Sequence, residues 1–211
     1  MNLQGKKILV TAGPTWVPLD KVRVISNTAS GRTGLLLAEQ LRKKGALVTI
    51  LLGPVGECRL PQGCTVKRFS FFDELRDLLA ETLSKKKYDF IIHSAAVADY
   101  RPEKVFRGKV ASGAANIVVR LVPTVKLIDR IKKITPSVFL VGFKFEPEIS
   151  RNALLREAGK LMLRSGCDCV VANTCMQGMY SAYIVSREKV SDILKSKRHM
   201  ARNLIGLMER L

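Results

Sequence analysis

Between Asp20 and Gly34 the chain gathers residue types that suit an anion. Arg23 and Arg32 carry fixed positive charge, and Ser26, Asn27 and Ser30 carry short polar side chains. Gly31 and Gly34 flank the start of an apolar helical face, Leu35-Leu36-Leu37-Ala38. Free N–H groups and the dipole at such a helix start favour phosphate or carboxylate. An ordinary Ser/Asn/Gly helix cap uses the same residues, so their types alone leave both readings open. Just upstream, the apolar run Ile8-Leu9-Val10 ends in Thr11-Ala12-Gly13-Pro14-Thr15, a strand leading into a glycine turn. Farther on, Lys160 and Arg164 stand i,i+4 apart, a basic pair on one helix face.

Alternating strands and helices must position these groups. Lys6 to Thr11 reads as a first buried strand, and Thr33 to Lys44 as a helix with Leu36, Leu37 and Leu41 on one face and Gly45 after it. Strands are expected at Ala46 to Leu52, Thr65 to Phe69 and Phe90 to Ile92, with a helix over Asp73 to Leu83. That rhythm implies an α/β, Rossmann-like parallel sheet with helices on both faces. Ligands of such sheets bind at the carboxyl ends of the strands, where the Gly13 and Ala95 turns both fall. From Arg101 to Val122 the rhythm stops. Lys109-Val110 and Asn116 to Val122 read as extended segments of an inserted hairpin or flap around Ser112-Gly113-Ala114-Ala115. Pro123 restarts the pattern with a helix through Ile131, a strand at Val138 to Phe143, and a helix over Asn152 to Arg164. Strands at Cys169 to Ala172 and Ala182 to Val185 follow, then a closing helix through most of Glu188 to Leu211. The 211 residues fit one nucleotide-binding domain carrying residues 101–122 as its insert.

Hydrophobic residues make up 47%, enough for a substantial core and too many for disorder. No apolar run approaches the roughly 18 residues of a membrane span, and no cleavable signal pattern is present, so a cytoplasmic location is expected. The five cysteines are an odd number without a secretory context, which argues for reduced thiols rather than a disulfide framework. His93 and His199 have no partners spaced for zinc. The net charge of +18 suits nucleic acid, an anionic surface or small polyanions, and does not choose among them.

The glycine-rich stretch resembles the signature of the phosphopantothenoylcysteine synthetases, coenzyme A enzymes that join phosphopantothenate to cysteine. Gly13-Pro14-Thr15, Pro18-Leu19-Asp20, Val22-Arg23, Ile25, Asn27 and Ser30-Gly31 with Gly34 all fall in register with it. Ala29 replaces the first serine of the family's pair. Ser94 to Pro102 is similar to the second motif, in which Ala96 and Asp99 would bind the nucleoside triphosphate and Asp99 its Mg²⁺. Ten residues later, Lys109 matches the lysine that neutralises phosphate charge as an acyl-nucleotide forms, although Val110-Ala111-Ser112 stands where relatives continue with lysines.

Pro123-Thr124-Val125-Lys126 occupies the place of a nucleotide-contacting Pro-Asp-Ile/Leu turn, with Thr124 for the aspartate and Val122 for the preceding asparagine. Val141 to Glu146 resembles a Gly-Phe-x-x-Glu segment whose phenylalanine, here Phe143, would line the nucleotide site. Val170 to Asn173 matches a late Val-Ala-Asn strand end. Counting back from Gly166, the family's two nucleotide-contacting lysines fall at Leu161 and Ser165, one residue from Lys160 and Arg164.

The resemblance implies two half-reactions. Phosphopantothenate attacks the α-phosphate of CTP, or of ATP as in eukaryotic relatives, and cysteine then captures the acyl-nucleotide. Lys109 and Mg²⁺ would serve the first step, and Asn27 with Arg23 nearby the second. Val17-Pro18-Leu19 and Phe143-Lys144-Phe145-Glu146 are similar to the ATP-using branch. The family's fused flavin domain is missing from this chain, which implies the free-standing form. A homodimer joined partly through Asn116 to Val122 is also expected.

Two other classes remain to be weighed. Tyr100 and Lys104 have the Tyr-x-x-x-Lys spacing of a nicotinamide reductase, but Pro102 between them opposes the helix that pair requires. The first turn also lacks Gly-x-Gly-x-x-Gly. A nucleic-acid-binding module rests on charge alone, with no interleaved aromatic residues, so neither nucleic acid nor a membrane is an expected partner.

Overall fold

The computed structural model describes residues 3–111, 113 and 116–211. In chain order its elements are β1 (Lys7–Ala12), β2 (Trp16–Pro18), β3 (Val24–Ser26), α1 (Arg32–Lys43), β4 (Leu47–Leu52), β5 (Thr65–Arg68), α2 (Phe72–Lys85) and β6 (Phe90–His93). They continue with β7 (Tyr100–Pro102), β8 (Leu121–Pro123), α3 (Ile128–Ile134), β9 (Phe139–Phe145), α4 (Arg151–Ser165), β10 (Cys169–Met176), β11 (Met179–Ser186) and α5 (Lys197–Met208).

Seven strands form one sheet in the order β11-β10-β9-β6-β1-β4-β5. Counting only its parallel strands, this is the doubly wound order 3-2-1-4-5-6, whose direction of winding reverses between β1 and β6. The sheet is mixed rather than wholly parallel, because β11 runs antiparallel to β10. Gln177 (φ 48°) and Gly178 (φ 77°) both lie in the left-handed region between these strands, a two-residue turn that returns the chain directly.

Two cores confirm helices on both faces. Leu37, Ala38 and Leu41 of α1 and Met200, Leu204 and Met208 of α5 pack with Ile8, Val10 and Ile92 on one side. On the other, Leu75 and Leu79 of α2, Ile131 of α3, and Leu154 and Leu161 of α4 pack with Leu9, Ile91 and Leu140. Successive residues of β1 enter opposite cores, as a two-residue strand period requires. Both faces are covered, which explains why these strands read as continuous apolar runs.

Three sequence expectations change. The anion stretch begins in the turn of a hairpin, β2 paired with β3, whose three-residue strands are too short to show a period. The insert is also a hairpin, but its pairing is β7 with β8, and Lys109-Val110 and residues 116–120 form no strand. Ser112, Ala114 and Ala115 of the expected flap tip lie outside the described residues. The closing helix begins only at Lys197. Before it, Val190 and Leu194 bridge to β11 at Val185 and Ala182, and the Leu194 N–H and carbonyl bond to Ala182. Edge pairing satisfies this backbone, so the apolar residues of 188–196 line an extended segment instead of a helix face. No helix among the described residues is long and apolar enough to cross a membrane.

Candidate active site

Beyond their carboxyl ends, β1 and β6 continue side by side as non-strand backbone. Ala96 N–H donates to the Gly13 carbonyl (2.9 Å), and Thr15 N–H donates to the Ala96 carbonyl (3.2 Å). The buried Thr15 hydroxyl accepts from Ala98 N–H at 2.9 Å. Ser94 Oγ donates to the Thr11 carbonyl at 2.7 Å. Asn27 reaches across from the end of β3, its amide donating to the carbonyls of Ala96 (3.1 Å) and Val97 (3.4 Å). The first and second sequence motifs are thereby stitched into one cradle at the point where the sheet's winding reverses.

Helix α1 starts against that cradle. Gly31, its N-cap, has φ 69° and no side-chain cap. A Cβ on Gly31 would lie 3.3 Å from Gly13 N, so the two glycine backbones touch. Gly34 belongs to the first helical turn, where a Cβ would meet Ala12 Cβ at 2.6 Å and Ser94 Oγ at 2.7 Å. It lets the helix approach the sheet closely, a packing role that the sequence reading as an anion loop missed. Ser30 sits just before the cap, and no acidic residue occupies the first turn.

A cleft of about 490 Å³ opens beside the cradle. Ala96 and Asp99 line it from the β6 side, Val125 and Lys126 from the turn before α3, and Phe143 from β9. Lys160 and Arg164 line it from α4. Leu161 and Ser165, the positions the family pattern would select, are buried in the fold. The one-residue offset leaves the basic pair at the cleft with Leu161 between them, while Ser165 does not line it. Pro123 and Thr124 act from behind. Thr124 Oγ1 donates to the Ala98 carbonyl (2.6 Å) and its N–H to the Asp99 carbonyl (2.9 Å), fixing the backbone that carries Asp99.

Each of these three cations has an acidic partner. Lys126 Nζ is 2.5 Å from Asp99 Oδ1, Lys160 Nζ is 2.7 Å from Glu157, and Arg164 Nε is 3.1 Å from Asp129 Oδ2. The hydrogen bond from Lys160 holds the Glu157 carboxyl below its ordinary range. Asn173, in β10 beside the last residue of β9, also faces this cleft, and its buried Oδ1 has no hydrogen-bond partner among the described residues. Its place in the Val-Ala-Asn strand end was the signal for it; Glu157 had no signal beyond its i,i+3 spacing from Lys160.

His93 closes the floor. Its ring Nδ1 lies 3.0 Å from Thr11 Oγ1, which also accepts from Ala95 N–H at 3.2 Å. Burial lowers the imidazole to about 4, so the ring is neutral. Cys167 and Cys169 are buried, with desolvation pushing Cys167 up to about 11, so neither is a thiolate nucleophile.

Lys109 and Arg23 lie elsewhere. Lys109 is exposed on the insert, makes no ion pair among the described residues, and does not line the cleft. Arg23 is not a free cation, because Asp20 Oδ2 accepts from its Nε (2.9 Å) and Nη2 (2.6 Å). Tyr100 and Lys104 are not on a helix, since Tyr100 begins β7, which removes the reductase geometry.

No group of three or more metal-ligating side chains occurs among the described residues. Asp99 offers one carboxylate at the cleft, a donor set that fits Mg²⁺ only where phosphate oxygens complete the shell. Two larger depressions carry none of the motif residues apart from Arg32. One, of about 650 Å³, lies between α1 and residues 58–62, and the other, of about 1130 Å³, lies at the amino edge of the sheet.

The family model described as "DNA/pantothenate metabolism flavoprotein C-terminal domain" matches residues 3–211. The coenzyme A biosynthesis bifunctional protein CoaBC of Thermococcus kodakarensis is 38% identical over 173 residues, covering 82% of this chain and 42% of that protein. The chain spans about half the length of the curated relatives it matches. A crystal structure of the DNA/pantothenate metabolism flavoprotein from Streptococcus pneumoniae superimposes with a TM-score of 0.87 at 23% identity, covering 98% of this chain and 99% of that one. The C-terminal domain of a CoaBC protein superimposes with a TM-score of 0.81 at 26% identity, covering 100% of this chain and 97% of that one.

Proposed function

The chain belongs to the DNA/pantothenate metabolism flavoprotein C-terminal domain family, and we propose that it is a phosphopantothenate–cysteine ligase driven by a nucleoside triphosphate. One observation carries the reading. Ala96, Asp99, Lys126, Phe143, Lys160 and Arg164, far apart in sequence, converge on one cleft at the carboxyl edge of the sheet. The coenzyme A role of the CoaBC relatives supports the substrate class.

A carboxylate is a poor acyl donor because oxide is a bad leaving group. In the first half-reaction a carboxylate oxygen of phosphopantothenate bonds to the α-phosphorus, and the bond to pyrophosphate breaks. In the second, the cysteine amine bonds to the activated carbonyl carbon, the nucleotide monophosphate leaves, and the amine loses a proton. The Gly13 turn, Ser30 and Gly31 offer backbone donors to phosphate. Phe143 flanks the base, and Val125, Lys160 and Arg164 bound the nucleotide. Asp99 would hold Mg²⁺, which when bound offsets triphosphate charge, and Lys126 must then exchange its carboxylate partner for phosphate. Lys109 supplies charge to the α-phosphate when the insert closes over it, excluding water. Asn27, tied to Ala96 and Val97, holds the activated carbonyl for the amine, and Arg23 serves the same step. CTP is the first candidate nucleotide and ATP the second.

Purified protein should release pyrophosphate only with phosphopantothenate, Mg²⁺ and CTP or ATP together. Equal release without phosphopantothenate, or none with any nucleotide, would remove the ligase reading.

Assembly as a homodimer is part of the same proposal. Val22, Tyr100, Ile117 and Val118 are exposed on the two neighbouring hairpins, Val118 to 86%. A second copy covers such a patch by two-fold symmetry. Light scattering at micromolar protein should give the dimer mass, and a monomer mass would overturn this.

A further inference from the structure

The turn between β2 and β3 is bound to the insert at every second residue. Phe106 N–H donates to the Leu19 carbonyl (3.1 Å), and Lys21 N–H donates to the Gly108 carbonyl (3.2 Å). Val110 N–H donates to Asp20 Oδ2 at 3.0 Å, and Arg23 Nη2 donates to the Val110 carbonyl at 2.7 Å. Lys109 therefore lies between two tethered residues. Gly108 has φ 83°, a conformation that favours glycine, and nothing among the described residues stands within 4 Å of where its Cβ would be. Its glycine serves the bend of the chain and not close packing.

Asp20 is the hub of this contact. Its side chain is wholly buried. Oδ1 accepts from Val22 N–H (2.9 Å) and Arg23 N–H (2.8 Å), while Oδ2 accepts from Arg23 Nε, Arg23 Nη2 and Val110 N–H. Every one of these groups is a donor, so both oxygens must be acceptors. The Val110 N–H and then the Arg23 guanidinium hold this carboxyl far below the usual carboxylate range. An asparagine would aim its NH₂ at donors on whichever side it was placed, leaving at least two of them unpaired.

We infer that Asp20, acting through Arg23 and the Val110 backbone, is a positioning residue that sets where Lys109 stands for the first half-reaction. This rests on the ligase reading and on the role given there to Lys109. The clamp holds residues 106–110 of the insert and leaves the exposed Lys109 side chain to meet phosphate. Lys109 is thereby delivered to one place, instead of sampling the range of a loose loop.

The test compares the native chain with Asp20→Asn and Arg23→Lys, which keeps the charge but loses the planar fork. Hydrogen exchange at Val110 should accelerate about tenfold or more in Asp20→Asn, the scale of one lost charged hydrogen bond. Pyrophosphate release without cysteine should fall in kcat by a similar factor while the KM for nucleotide stays within about twofold, because the cleft is untouched. A merely structural defect would lower the melting temperature and the active fraction, and kcat per active site, with sites counted by nucleotide binding, would then stay native. Should Asp20→Asn not fold, Arg23→Lys carries both readouts. A Val110 amide that stays protected, or a freed one with native kcat, overturns the inference and leaves the ligase reading standing. Native pyrophosphate release by Lys109→Ala overturns the role of Lys109, and the inference with it.

Discussion

The insert follows the cradle directly in the chain, yet the two are built on opposite principles. In the cradle, backbone groups of Gly13 to Thr15 and Ser94 to Ala98 are bonded to one another, and the Thr15 hydroxyl is buried. Its shape exists before any ligand arrives, and preorganised donors need no rearrangement as charge develops. The insert has little core. Most of residues 103–109 are exposed, and the attachment near Lys109 is a polar clamp on one buried carboxylate. A group that must approach and then release a charged ligand suits a segment whose opening costs little. The difference suits fixed recognition in the cradle and, at Lys109, a charge whose position depends on one polar clamp.

Removing one charge from the insert should have the largest effect. Lys109→Ala should lose about 2–4 kcal/mol of transition-state stabilisation, roughly a 30- to 1000-fold fall in pyrophosphate release. Asn27→Ala belongs to the cradle and should act later. In quenched reactions lacking cysteine it should still yield pyrophosphate and acyl-nucleotide, whereas Lys109→Ala should yield little of either. If both variants stall at the same half-step, the division of labour between the two regions is wrong.

The cradle was more legible in sequence than the insert, for a physical reason. Buried β1, β4 and β6 announce themselves as apolar runs, and the helices by leucines at helical spacing, because hydrophobic burial leaves a periodic trace. Gly13 and Gly31 show as residue types because both have positive φ and a Cβ on either would press on Val55. The insert depends on pairings that leave no period: three-residue strands, a carboxylate reaching Val110 from ninety residues away, and a guanidinium reaching the same residue. The sequence shows Arg23 as a cation, and only the fold shows Asp20 beneath it. The extended run before α5 misled for the same reason, since Val190, Ile193 and Leu194 fit a helix face as well as an edge.

Acid offers a smaller and sharper separation of the two regions. His93 underlies the cradle, and burial lowers it from an ordinary 6.5 to about 4. Its depressed folded-state pKa means the unfolded chain binds the extra proton first. Stability is therefore complete above about pH 6.5 and declines as pH falls toward 4, by about 1 kcal/mol at pH 5.5 on a single-site linkage. The clamp should behave differently. Asp20 is held well below the usual carboxylate range, so its contribution is complete above the unfolded value of 3.8 and is lost only in stronger acid. Urea unfolding at pH 7.5, 6.5, 5.5 and 4.5 should show the slope in the native chain and a flatter one in His93→Met, which carries no proton at that site. Over the same range Val110 should keep its protection from exchange, measured against the intrinsic rate at each pH. An equal slope in His93→Met would place the acid sensitivity outside the cradle floor. Loss of Val110 protection between pH 6.5 and 4.5 while the fold persists would show that the clamp does not rest on an ionised Asp20.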